Sequence, residues 1–416
     1  MEQDRTSTFN VSIGTEIHGS MVLSGDEVIQ LYFVEDIFSF CMNGKLTMTD
    51  TRGMFEFGPI TGNETIKIVY SSGEGESENK EWEFKIYKVS RIEQLNTGSP
   101  DTEEAIEIFF TDYMFFSLNF FRYSKAWKDK HIHEIVRDIG NNWLYAESHP
   151  QGWNEFEETN ERLDYFYMPL WYPSTALSWL MKRGTGVEQN EAGYLFYNAV
   201  NGVNFVTLGK LLNNPFMQTP GLGENAEEYV FQDANPQYFN KIMNWSISGL
   251  DMIGLKFLSG STKYGIDSMN KKFIKNEYKY SDMLEKHTLL GRSSLFPDID
   301  NEISSFDIVG TKSDEIDAIY GNSWNKRYDL QHCFSMVVRG HEARYPGGMI
   351  KVKWDSIDKE EQGFNKHLDG NYLVKSITHI FTGHSDMSYK QKMVCIKNAY
   401  YESDVSALVS SIKNRP

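Results

Sequence analysis

The sequence predicts an α+β protein that is mainly β, built as two antiparallel β-barrels with smaller α+β and helical domains inserted between them. Three observations predict it. Apolar and polar residues alternate with period two at both ends of the chain, helical spacing is confined to the middle, and turn dipeptides stand between alternating runs. At 416 residues the chain is too long for one ordinary core, so several domains are expected. The expected division is a first barrel over 1–113, an α+β domain over 114–215 and a second barrel from 216–250 with 330–402. A mixed, helical insert is expected over 251–329 and a tail over 403–416.

Each element has a local reason. Phe9-Asn10-Val11-Ser12-Ile13 alternates, Ile29 to Phe40 is a longer apolar stretch, and Asn43-Gly44 is expected to turn the chain after it. Ile66 to Tyr70 is a strand. Trp82, Phe84 and Ile86 alternate with Glu81, Glu83 and Lys85, a pattern that needs one buried and one wet face. Ile106, Ile108 and Phe110 do the same around Glu107, and Ser71 to Lys80, rich in Gly, Ser and Glu, is a solvated loop. Short strands with few helical patterns make the first barrel or sandwich.

In the middle, Ile132, Ile135, Val136, Ile139 and Trp143 fall at helical spacing, with Lys128, Asp129, Lys130 and Asp138 elsewhere around the wheel. The acidic stretch Glu147 to Asp164 reads as exposed. Pro173-Ser174-Thr175 opens a second helix through Ala176, Leu177, Leu180 and Met181, with Ser174 or Thr175 able to cap it, and Gly184-Thr185-Gly186 ends it. Tyr194 to Tyr197 and Val203 to Val206 form a hairpin with Asn201-Gly202 in its connection. Between Lys256 and Lys286 seven lysines stand against four acids, which suits a solvated helical face or a docking surface for an acidic partner.

The C-terminal part returns to strands. Gly347-Gly348 precedes Met349 to Trp354, Asp369-Gly370 precedes Tyr372 to Phe381, and the turn Thr382 to Asp386 leads into Tyr389 to Ile396. These runs echo the first barrel. Ile66 to Tyr70 matches Ile350 to Trp354 in pattern, and Trp82–Ile92 with Ala105–Phe110 matches Tyr372–Phe381 with Lys392–Ile396 in order and spacing. A duplicated barrel within one chain is the expectation.

Composition narrows the function. Lys plus Arg is 41 against 58 for Asp plus Glu, a formal charge of −17, so an overall electrostatic grip on nucleic acid is excluded. No window approaches the ~18 consecutive apolar residues of a membrane span, and Met1-Glu2-Gln3-Asp4 does not begin a secretory signal. Aromatics at 14 % with only 11 prolines indicate an ordered, strand-rich chain. Cys41, Cys333 and Cys395 lie far apart among apolar residues, as buried thiols do.

No catalytic, cofactor or metal residue is assigned. His131 and His133, two apart on the expected helix, point to different faces. His379 and His384 flank a turn without a completing Cys or acid, His332 and Cys333 point to opposite faces of a strand, and His341-Glu342 lacks a second histidine. No Gly-x-Ser-x-Gly elbow, phosphate loop or Gly-x-Gly-x-x-Gly follows a strand, and Gly221-Leu222-Gly223 is a loop tripeptide. The enzymatic candidate is Trp153 to Tyr172, where Glu155, Glu157, Glu158, Glu161 and Asp164 stand among Trp153, Phe156, Tyr165, Phe166, Tyr167 and Trp171. Glycosidases need two carboxyls ~5–10 Å apart beside aromatic platforms, yet no spacing here singles out an acid and a nucleophile.

Several segments together resemble the central baseplate hub proteins of contractile phage tails and their relatives in late control protein D and the VgrG spikes. Cys41 to Asp50, then Gly53, Glu56, Pro59, Ile60, Gly62, Glu64 and Ile66-Lys67-Ile68, resemble the first tube-like barrel with its Asp-Thr-x-Gly bend. Trp127 to Trp143 resembles the helix that follows that barrel. Pro173 to Leu180 with Ala192 to Leu212 resembles the family's helix and hairpin, and Gly370 to Val374 with Ile377, His379, Ile380 and Phe381 its closing strands. Between about Leu250 and Tyr328 nothing matches.

The resemblance implies a non-enzymatic homotrimer whose two tube-like barrels per chain make a pseudo-sixfold ring. Its implied partners are the tail tube or a tube-initiator protein, the central spike or cell-puncturing protein, and the baseplate wedge proteins. Phage DNA passes through the channel without specific binding, and the acidic balance suits a lumen that repels phosphate. The implied place is the virion tail baseplate, assembled in the host cytoplasm, with no cofactor. Rivals are the hub of a phage-derived injection machine, a tail-associated glycan hydrolase built on the acidic aromatic tract, testable by mutating Glu157 and Glu158, and a carbohydrate-binding β module.

Overall fold

The computed structural model describes residues 8–15, 19–50, 60, 62–71, 80–95, 103–148, 151–187, 192–218, 228–230, 240–247, 261–267, 271–278, 293–294, 317–319, 321, 333–353, 369–383 and 388–400. The Asp-Thr-x-Gly bend, most of the Ser71 to Lys80 loop, His332, His384, Gly221-Leu222-Gly223, Trp354 and the tail 403–416 lie outside them.

The first region forms β1 (Thr8–Thr15), β2 (Gly19–Leu23), β3 (Val28–Asp36), β4 (Asn43–Asp50), β5 (Thr65–Ser71), β6 (Lys80–Leu95) and β7 (Glu103–Thr111). Antiparallel pairing runs β3-β4-β7-β6-β5-β1-β2. The alternation read from the sequence sets the burial: Leu31, Phe33, Leu46, Ile66, Ile68, Phe84, Ile106, Ile108 and Phe110 are fully buried in one core. Each such side chain contributes about 1.5–3 kcal/mol relative to exposure. Asn43-Gly44 does not turn the chain; it opens β4, opposite Val34 and Phe33, and the reversal falls before it. A Cβ at Gly44 would meet the Tyr32 carbonyl at 2.4 Å and the Phe110 ring at 2.5 Å, so glycine is there to admit Phe110.

The middle region forms α1 (Tyr113–Asn119), β8 (Tyr123–His131), α2 (Ile132–Trp143), β9 (Trp153–Phe156), β10 (Arg162–Trp171), α3 (Pro173–Met181), β11 (Tyr194–Ala199), β12 (Gly202–Thr207) and α4 (Leu208–Leu212). Ile132, Ile135, Val136 and Ile139 form the buried stripe of α2, in one core with Ala176, Leu177 and Leu180 of α3. The helix expected from Trp127 starts only at Ile132. Residues up to His131 instead pair as β8 with β10, which sets Trp127 opposite Phe166. Tyr172 caps α3 by position and Pro173 opens it, so Ser174 and Thr175 lie inside its first turn; a proline without an N–H suits that first place. The hairpin closes with Ala199 opposite Gly202, leaving Val200 and Asn201 as the connection.

The remaining strands are β13 (Glu228–Val230), β14 (Asn244–Ile247), β15 (Ser261–Asp267), β16 (Lys272–Tyr278), β17 (Ser293–Ser294), β18 (Cys333–Arg339), β19 (Met349–Lys353), β20 (Gly370–Thr382), β21 (Ser388–Ile396) and β22 (Ala399–Tyr400). The lysine-rich segment, expected as a helical face, holds the β15–β16 hairpin, whose β16 alternates exposed and half-buried residues.

Two separate barrels were the expectation; the described pairings join both ends of the chain into one 13-stranded sheet and close neither end into a ring. The link is β20. Its first half pairs with β19, and Ser376 to Thr382 then pair with Asp36 to Gln30 of β3. A strand of 13 residues is long enough to serve two neighbours on one edge.

The echo between the ends is a structural repeat. β5-β6-β7 and β19-β20-β21 are both antiparallel meanders, flanked by β4 and β3 in one case and by β18 and β14 in the other. In the first, Ile86 N–H donates to the Glu64 carbonyl and β6 then bulges at Tyr87. In the second, Val374 N–H donates to the Gly348 carbonyl and β20 bulges at Lys375. A one-residue bulge at the same step of two strands fixes their registers relative to each other. The outermost strands differ: β1 is antiparallel to β5, and β13 is parallel to β19.

Candidate functional site

In the acidic, aromatic tract of the middle region several carboxyls are held by specific donors. Glu157 is buried, and its Oε2 accepts from the Thr207 N–H and hydroxyl at 2.8 Å each, tying β9 to the start of α4. Glu155 accepts from Asn214 Nδ2 at 2.9 Å, and burial raises its pKa. Glu161 accepts from the Thr185 N–H at 2.7 Å and from its hydroxyl. Asp164 and Glu158 are exposed, and the Glu158 carbonyl accepts the Tyr194 hydroxyl at 2.6 Å. Backbone donors fix two of the five carboxyls, Glu157 and Glu161, and side-chain donors hold Glu155 and the Glu158 carbonyl, which describes strapping of loops to a core. The expectation of an exposed stretch fails at Glu157 and Thr159, because sequence polarity does not report which acids find buried donors.

His131 and His133 were expected on different faces of one helix. His131 instead ends β8 and His133 begins α2, and their rings stack 5.3 Å apart. His133 Nδ1 accepts from the Thr159 N–H at 2.9 Å, and burial lowers its pKa. An open polar cleft beside them is lined by Lys130, Glu134, Arg137 and Glu158. Lys130 already bonds Glu134 at 2.7 Å, and Asp138 at the same cleft bonds Lys125 at 2.6 Å and Trp127 Nε1 at 2.9 Å. Among the described residues no group of three or more His, Cys, Asp or Glu is placed to share a metal ion.

The polar chemistry of the buried interior lies where the two repeats meet, and sequence reading missed most of it. Arg344, 1 % exposed, donates from Nε to Tyr229 Oη at 2.9 Å, from Nη1 to Gln391 Oε1 at 2.7 Å and from Nη2 to Asn240 Oδ1 at 3.0 Å. Gln391 Nε2 donates to the His341 carbonyl at 3.0 Å and to Tyr389 Oη at 2.9 Å. Tyr389 Oη lies 2.7 Å from His379 Nδ1, and His379 Nε2 lies 3.1 Å from Glu35 Oε1 on β3. The Tyr389 hydroxyl can donate to Nδ1, while the approach of Nε2 to Oε1 is a close contact that lacks hydrogen-bond alignment. The Val200 N–H of the middle-region hairpin completes it by donating to Glu35 Oε2 at 3.2 Å. His379 also stacks on Phe33 at 4.3 Å. One network therefore ties the first sheet, the second sheet and the middle region together, and its geometry holds parts in place without exposing a reactive atom. An interrupted β pattern was its only sequence signal, since Gln391 and His379 fall on inward positions of their strands.

The other face of the sheet is wet. It carries Tyr32, Val34 and Asp36 on β3, Lys45 on β4 bonded to Glu107 on β7, Thr378 and Ile380 on β20, and the exposed Lys390 and Lys392 on β21. No helix among the described residues is long and apolar enough to cross a membrane.

No protein-family model and no curated protein matches the chain by sequence. Solved structures do match its fold along nearly its whole length. The prophage MuSo2 43 kDa tail protein from Shewanella oneidensis aligns with a TM-score of 0.56 at 11 % identity, covering 93 % of this chain and 98 % of that one. The tail protein from Neisseria meningitidis MC58 aligns with a TM-score of 0.58 at 11 % identity, covering 95 % and 97 %. The chain has the fold of phage tail proteins, as the resemblance read from its segments implied.

Proposed function

We propose that the chain is a structural hub of a contractile phage tail baseplate: a homotrimer with two tube-like units per chain, joining the six-fold tube to the three-fold spike. The observation that carries this is the internal repeat, two meanders with the same bulge, in a chain whose fold matches tail proteins end to end. Three chains with two such units each offer six near-equivalent positions, which lets a three-fold body meet a six-fold one. The units would be 1–113 and 216–250 with 330–402, the first carrying the α+β domain 114–215 behind it, with 251–329 inserted in the second and 403–416 as a tail.

The work of such a hub is mechanical. A large interface and a sealed wall do it, with tube, spike and wedge proteins as partners and no catalytic step. We assign the wet face of the sheet to the conduit wall. Among the described residues it mixes Lys45, Lys390 and Lys392 with Glu107 and Asp36, charges of both signs. DNA would slide past a wall of small polar and paired charged groups rather than one that repels it at every point.

The test is the native mass of the purified chain by light scattering, followed by negative-stain imaging. A species of about three times 48.1 kDa with a ring-shaped projection is expected. A single-chain mass at every concentration, with and without the spike protein, would sink the reading.

A further inference from the structure

We propose that the two stacked histidines where β8 meets α2 form an acid-released clasp. A second proton on the His133 ring frees the β9–β10 connection, Glu157 to Glu161, from the start of α2. The clasp lies wholly in the middle region, so it stands or falls independently of the hub reading.

The connection and the helix hold each other through the backbone. The first N–H groups of a helix have no partner within it. Here the Ile132 N–H donates to the Glu161 carbonyl at 3.1 Å, and the His133 N–H donates to Thr159 Oγ1 at 3.1 Å. The return bond runs from the Thr159 N–H to His133 Nδ1 at 2.9 Å. Thr159 is 1 % exposed, so water does not replace that acceptor while the clasp is closed. On its far side the connection is held by Glu157 on Thr207, by the Asn160 N–H on the Thr185 carbonyl at 2.9 Å, and by the Tyr194 hydroxyl on the Glu158 carbonyl at 2.6 Å. Of all these contacts, only the one at Nδ1 runs through a group that titrates near neutrality.

The return bond requires a bare Nδ1, with the imidazole proton on Nε2. In acid a proton enters at Nδ1, and two donors then face each other. The new proton can turn to Thr159 Oγ1 at 3.2 Å, but the Thr159 N–H is left buried without an acceptor. The charges around the ring divide. His131 on β8, with its ring centroid 5.3 Å away, and Arg137 on α2 oppose a second charge. Glu134 on α2 and Glu158 on the connection favour it. Lys130 is taken up by Glu134, while Asp138 and Glu147, further along the same cleft, are bonded to Lys125 and Asn141.

Burial is the largest influence, and it lowers the His133 pKa in the closed state. An open state, with the ring in water, binds the proton more tightly. The closed form therefore has its full advantage above pH 6.5 and loses it as pH falls below that value. Release is local. Ile132, Ile135, Val136 and Ile139 keep α2 in the core it shares with α3, so the connection lets go and the helix stays. The polar cleft of about 1050 Å³ beside them widens.

The experiment is native-state hydrogen exchange on the whole chain at pH 7.5 and 5.5. It is read by mass spectrometry over residues 131–137 and 156–162 and corrected for the intrinsic pH dependence of exchange. Protection there should fall by up to about tenfold, the bound for one histidine that titrates at about 6.5 when open. Protection in β7 around Ile108 should hold. In His133→Asn, whose side-chain oxygen can accept the Thr159 N–H, the clasp should stay closed and the fall in acid should vanish. His131→Asn should keep most of the fall. Equal protection at both pH values in the native protein overturns the proposal, and that measurement needs no variant to fold. A fall shared equally by β7 reports global unfolding and overturns it as well. So does a fall that persists in folded His133→Asn, or one that vanishes in His131→Asn instead.

Discussion

Ile106 on β7 and Gln391 on β21 occupy the same place in the two repeats, and both are fully buried. In the first repeat that place belongs to a continuous apolar core around Phe33, Phe84 and Phe110. In the second, Gln391 binds Arg344, His341 and Tyr389, and so ties the segment after β18 to the sheet. A second contrast lies one strand away. Gly44 faces Phe110 in the first repeat, while Phe334 faces Cys395 in the second, a large-for-small exchange across the same strand pair. The duplicated scaffold thus fixes strand order and bulge, and leaves the filling of the core free as long as total volume is kept. Polar filling occurs where an extra element must be held.

The largest break in this comparison should come from Arg344→Leu. It would remove the guanidinium donors of Tyr229 Oη, Asn240 Oδ1 and Gln391 Oε1, leaving Gln391 Oε1 the His341 N–H, at a cost of about 3–5 kcal/mol in denaturant unfolding. Ile106→Val at the dry counterpart should cost only about 0.5–1.5 kcal/mol. Equal losses at the two sites would mean that the polar knot does not hold the second repeat together.

Acid should also separate the repeats. Burial first, and then the nearby Arg344 charge, lower the His341 pKa from 6.5 to about 4. As pH falls through 6.5 the unfolded chain takes up this proton and the folded chain does not. The stability contribution is therefore complete above 6.5 and is lost down to about pH 4, by about 3 kcal/mol. Denaturant midpoints at pH 7.5 and 5 should show about 2 kcal/mol of that fall in the native protein and a shallower one in His341→Asn, whose side-chain oxygen can replace Nδ1 as acceptor of the Ala343 N–H. An unchanged slope would detach His341 from the acid response.

The smallest effect sharpens the size exchange. Gly44→Ala should cost about 1–3 kcal/mol, since its Cβ would crowd the Tyr32 carbonyl and the Phe110 ring. A double-mutant cycle with Phe110→Cys should show a favourable coupling of about 1 kcal/mol, incomplete because the carbonyl stays. Strict additivity would mean that the backbone contact alone excludes a side chain at this position.

Local period and local turn chemistry are written in the sequence. The alternation of Trp82, Phe84 and Ile86, the stripe Ile132 to Ile139 and the closure of the hairpin at Gly202 depend on neighbours a few residues away, so they were legible there. The echo of Ile66 to Tyr70 in Ile350 to Lys353 was legible too, and it became the repeat. Where local signals misled, a distant partner had overruled them: Trp127 to His131 went to β8 because β10 was there to pair, and Asn43-Gly44 went into β4 because Phe110 needed its space. Only the tertiary structure decided that β20 joins β3, that Glu157 is strapped to Thr207, and that Glu35, His379 and Arg344 share one network. The reason is physical. A strand's sequence states which of its faces is buried, but its edges present the same backbone donors and acceptors to any partner, so pairing across hundreds of residues is settled by the packing of the whole.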